Sequence, residues 1–160
     1  MSEIASFQRR LFEELDRIVA CLKDMSPEQL DWVPPAEGAN SLRAIASHAI
    51  GAAEAHVVAC LAKQDVARDR AAEFAVRGGD GTGLIERYAA VRERIGSALG
   101  ELDPAILDED RSTSWGAFIG RDWLIHATCH AAEHAGQAEL MRDMAKALER
   151  HVADVAPPDR

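Results

Sequence analysis

The chain has 160 residues, 27 of them acidic and 18 basic, and a net charge of −9. That excess repels a phosphate backbone and an anionic membrane surface, and no basic cluster overrides it, so nucleic acid and membrane are excluded as partners. Hydrophobic residues make up 48% and aromatics only 5%, a mix that suits closely packed helices in one domain spanning 1–160.

Cys21, Cys60 and Cys129 are an odd number with no paired spacing. This predicts a reduced, cytoplasmic protein. The N-terminal Met-Ser-Glu-Ile lacks the basic-then-apolar order of a secretory signal. Charged residues or histidine interrupt each apolar run before it reaches the length of a membrane span.

Ile4, Phe7, Leu11, Leu15, Ile18, Leu22 and Met25 step by three or four residues, which predicts a first amphipathic helix. Ser26-Pro27-Glu28-Gln29 reads as an N-cap, a proline at the first helical position and a capping-box glutamine. Residues 32–40 form a loop, because two prolines and a glycine break any ladder. Asn40 or Ser41 caps a second long helix with the stripe Leu42, Ile45, Ala49, Ala52, His56 and Ala59. His48 stands at the edge of that stripe, and the helix fades near Lys63. Residues 65–83 read as a polar connection, most flexible at the glycines of 78–83. Thr82 is the expected cap of a third helix carrying Leu84, Tyr88, Val91, Ile95 and Leu99. Residues 103–120 are irregular, with a short turn near 104–107. The fourth helix runs from near Arg121 to about His151, with Ala127, His130, His134, Ala138, Met141 and Leu148 facing inward. A frayed tail follows. The expected fold class is all-α: a four-helix bundle with long interhelical connections, its helix order open.

The chemistry lies in the last helix. His126, His130 and His134 are four residues apart, so they share one face at about 6 Å steps along the axis. Two neutral imidazoles so placed can grip one transition-metal ion. His126 and His134 are about 12 Å apart along the axis, too far to share a small ion. Either His126 with His130 or His130 with His134 therefore forms the pair. His48 and His56 compete for the third position, and Ile45 favours His48 by anchoring its face to the core. The bland reading leaves His56 partly exposed. His151 is explained by the helix dipole.

Other motifs carry less. His130-Ala131-Ala132-Glu133-His134 matches the H-x-x-E-H pattern of inverted zinc peptidases, but that pattern is short, and Glu133 reads as a solvated residue. Cys129 points about 100° away from His130 and reads as a small buried hydrophobe. The glycine cluster is no phosphate loop, since no strand precedes it and no lysine follows. No G-x-S-x-G supports serine chemistry. Trp32, Trp115 and Trp123 read as core or bundle-end plugs.

Together, Leu30-Asp31-Trp32-Val33-Pro34-Pro35, Asn40-Ser41-Leu42-Arg43-Ala44-Ile45 with His48, and Trp123-Leu124-Ile125-His126 through His130 and His134 to Arg142 resemble the DinB-like (YfiT-like) family of four-helix bundles. The resemblance spans nearly the whole chain. It implies a metal site of one histidine from the second helix and an H-x-x-x-H pair from the last, here His48, His130 and His134, with His126 outside the first coordination sphere. It also implies a thiol-dependent transferase or isomerase acting on a small-molecule thiol and an electrophile, in a protein often found as a homodimer. Three histidines leave one coordination position open, as in catalytic zinc sites. Zinc is the expected ion, with nickel next, since imidazole and water do not separate them. Gln137 is placed to orient His134 or the substrate, and no general base is assigned. Two alternatives belong to other classes: a metal-dependent hydrolase, and a non-catalytic stress protein stapled by its metal.

Overall fold

The computed structural model describes residues 2–114 and 116–155, apart from the side chains of residues 149–155. Trp115, the His151 side chain and the tail at 156–160, about which the sequence raised expectations, lie outside the described residues. Among the described residues, four long helices and three short ones follow in order. Helix α1 spans Glu3–Ala20, α2 Pro27–Asp31 and α3 Leu42–Glu54, which continues as a π-helix over Ala55–Leu61. Helix α4 spans Arg70–Ala75, α5 Thr82–Gly100 and α6 Gly120–Val155, with a 3-10 turn at Pro104–Asp108 between the last two. Among the described residues two isolated β-bridges occur but no strand. The all-α bundle is therefore as expected.

Local chemistry accounts for the helix starts. The Ser2 and Ser41 hydroxyls accept from the third backbone N–H beyond them. Ser26 and Gln29 form the reciprocal capping box. Thr82 does not cap α5: Gly81 holds the cap position without a side chain, and the Asp80 carboxylate accepts from the Thr82 N–H at 3.1 Å instead.

Helices α5 and α6 each pack on both α1 and α3. This settles the arrangement that the long connections left open. Helix α3, also covered by α2 and α4, is buried from Leu42 to Ala53 on every side. Its extension Leu42–Leu61 is long and apolar enough to cross a membrane, but 83% of it is buried inside the bundle. Arg43, almost wholly buried, clips the connections to this helix. It donates to Asp31 at 2.6 Å and to the carbonyls of Gly79 and Asp80. The supposedly flexible glycine stretch is thus bonded in place. Gly78 and Gly79 adopt φ of +74° and +72°, which glycine accepts without strain.

Two burial expectations fail on α6. The core face is Trp123, Leu124, Ala127, Ala131, Ala135, Ala138, Met141 and Ala145, while Leu148 is 46% exposed. His130 and His134 sit half-buried beside that face. Cys129 is exposed rather than buried.

Candidate metal centre

His48 projects from the middle of buried α3 towards α6. His130 and His134 lie one turn apart on the facing side of α6. The ring centroids of His48 are 5.2 Å from His130 and 5.1 Å from His134, and those two are 4.4 Å from each other. One ligand nitrogen from each ring falls within 4.8 Å of the other two. A tetrahedral zinc ion with Zn–N of about 2.0–2.1 Å separates its ligand nitrogens by about 3.4 Å. Among the described residues no fourth histidine, cysteine or carboxylate joins the group.

Two of the rings are oriented by partners. Glu73 accepts from His48 Nδ1 at 3.0 Å, and Gln137 Oε1 accepts from His134 Nδ1 at 2.8 Å. Each bond places the proton on Nδ1 and leaves Nε2 as the free donor, the outer-shell arrangement common to metal-binding histidines. Gln137 thus lies where the sequence suggested.

Glu73 was missed. It stands on α4, inside the segment read as a polar connection, yet it is 3% exposed. Arg68 grips it through Nε at 2.8 Å and Nη2 at 2.9 Å. Burial opposes its charge, but the hydrogen bonds from His48 and Arg68 hold the carboxyl at about 2. Gly51 makes the room: a Cβ there would stand 2.1 Å from Glu73 Oε1. The local signal for this element was faint, namely Asp69 accepting from Ala72 N–H as an N-cap, and a short apolar run around Phe74. The Phe74 ring packs 4.6 Å from that of His48.

Electrostatics favour neutral imidazoles. Burial, then the nearby His134 and His48 rings, pushes His130 down to about 4. Burial lowers His134 as well, opposed by the bond to Gln137. The array extends further. His56, expected to be partly exposed, is buried at 3% against Trp123, and burial followed by the neighbouring histidines takes it to about 3. His126 is exposed and adjoins His56, with ring centroids 4.6 Å apart, and takes no part in the inner group. Glu133 is exposed, as the solvated reading expected.

A cleft of about 360 Å³ opens on these rings, lined by His48, Ala52, His56, Arg68, Arg70 and His130. Ile45, Asn40, Gln137, Leu140 and Met141 line a separate apolar depression of about 210 Å³. The cleft therefore gives access to the rings of His48 and His130.

A family model described as Mycothiol-S-transferase matches residues 6–147. The chain belongs to this family, which is of the DinB/YfiT-like kind. The fold also matches a solved structure described as the conserved protein of locus from Enterococcus faecalis. That match has a TM-score of 0.75 at 17% identity and covers 92% of this chain and 99% of that one. At such identity the likeness concerns the fold alone. No curated protein matches the chain.

Proposed function

We propose that the protein is a metal-dependent thiol S-transferase in which His48, His130 and His134 hold one divalent ion. The observation that carries this reading is the convergence of three imidazoles from α3 and α6, with no fourth protein donor among the described residues. Three-histidine sites with an open position are characteristic of catalytic rather than structural zinc. Zinc is the proposed ion and nickel the next. Such an ion supplies Lewis acidity that brings a thiol well below its ordinary pKa of about 8.5, so that thiolate is available at neutral pH.

The chain's own residues prepare that chemistry. Glu73 and Gln137 fix two rings with Nε2 free. Arg68 keeps Glu73 ionised and in place. Burial keeps His130 unprotonated down to about 4, so protons do not compete for its nitrogen at neutral pH. The family match supports a thiol as one substrate, with a small electrophile as the other. The thiol sulfur forms a bond to the electrophilic carbon, the leaving group departs with its electron pair, and the thiol proton passes to solvent.

Three free cysteines support a reduced, cytoplasmic setting for a single-domain protein over 1–160. The exposed stripe of Leu140, Met144 and Leu148 along α6 supports a homodimer. The activity is tested with a low-molecular-weight thiol and a halogenated aromatic. Conjugate should form only with both the thiol and the bound metal present. Ester or amide cleavage without added thiol would move the assignment to a hydrolase.

A further inference from the structure

The inner three rings do not complete the histidine array. Helix α3 continues to His56, two turns beyond His48, and α6 carries His126 one turn before His130. The centroids of His56 and His126 are 4.6 Å apart, closer than His48 is to either of its partners. His130 stands between the two groups, 5.2 Å from His48, 5.4 Å from His56 and 5.9 Å from His126.

The backbone explains why His56 faces this way. In an unbroken α-helix, eight residues would leave His56 about 80° round the axis from His48. The helix switches to π geometry at Ala55, with Ala62 N–H reaching back to the Val57 carbonyl at 2.9 Å. The wider turn takes up part of that rotation. His56 consequently stacks on Trp123, at 5.8 Å and 30°, and meets His126 and His130 edge-on. π segments are uncommon and concentrate at functional sites.

We propose that His56 and His126 form a second site for a divalent transition-metal ion, separate from the inner histidines. Imidazole nitrogens select zinc, nickel or copper over the hard cations. Two protein donors with water completing the sphere hold an ion less tightly than three. Arg68 and Arg70 on the adjoining cleft wall weaken it further by repulsion. The exposure of His126 gives the ion a route to solvent. The second site is therefore exchangeable and fills only when metal exceeds the inner site.

The test is a calorimetric titration of chelator-stripped full-length protein with zinc alone. The expected isotherm has a tight event at one ion per chain and a weaker event adding a second. His126→Ala removes an exposed side chain and should keep the tight event while losing the weaker one. His134→Ala should weaken the tight event and still leave an ion on His56 and His126. A wild-type isotherm that stops at one ion, or a second event unchanged in His126→Ala, overturns the proposal. As a second readout, cobalt(II) added beyond the first equivalent should broaden the ring proton signals of His126. Sharp signals at that point overturn it equally. Loss of the tight event alone would count against the inner site, not this one.

Discussion

Replacing Glu73 by glutamine isolates the part of the site that no first-sphere ligand supplies. The side chain keeps its volume and one oxygen, so the His48 Nδ1–H retains an acceptor. The negative charge is lost, and with it the paired contacts from Arg68 at 2.8 and 2.9 Å. Removing an outer-shell partner of a metal-binding histidine typically costs about 10–100-fold in metal affinity. That corresponds to about 1.4–2.7 kcal/mol. A fold-stability cost accompanies it, below the about 3–5 kcal/mol seen for fully buried pairs, because the Arg68 side chain is 14% exposed. Zinc affinity is measured by competition with a chromophoric chelator, with helicity checked by circular dichroism. Gly51→Ala should act in the same direction, since its new Cβ falls 2.1 Å from Glu73 Oε1 and must displace the carboxylate. A folded Glu73→Gln protein that binds zinc as tightly as wild type would refute the orienting role.

Acid should destabilise the metal-free protein. His56 and His130 titrate at about 3 and about 4 in the fold, against an ordinary 6.5, so the unfolded chain binds protons first. Their contribution is complete above about pH 6.5 and is lost progressively as pH falls towards about 3, which chemical denaturation across that range will read. A flat profile would contradict it. Of the three thiols only Cys129 should react with a disulfide reagent in the native state, with Cys21 and Cys60 reacting after denaturation. Leu140→Glu places a charge at a position 61% exposed and should convert a dimer to monomer by light scattering without loss of helix. An unchanged mass for a dimeric wild type would remove this face from the interface.

Much of the architecture was legible because it rests on local rules. Leu11, Leu15 and Ile18 repeat at helical spacing and all lie in the core. Ser26 and Gln29 announce their capping box in four residues. His48, His130 and His134 lie close together, although spacing alone left His126 and His56 in contention. What escaped depends on distant partners. Helix α4 covers only Arg70–Ala75, too short for a periodic signal, and Glu73 is buried only because Arg68 neutralises it and Gly51 yields space. The π turn that aims His56 at α6 has no sequence signature. On α6, alanines 127, 131, 135 and 138 fill the core while the histidines lie to one side. Alanine is weakly apolar, so the larger side chains drew the inward stripe towards Leu148, which is exposed.

Elemental analysis of dialysed protein, wild type beside His130→Ala, tests the central claim most directly. His130 belongs to the inner cluster whatever the identity of the ion. The account predicts about one tightly held divalent ion per chain in wild type and none in the variant, with both proteins folded. Full metal content in His130→Ala, or a wild-type protein that neither carries nor takes up an ion, would contradict it.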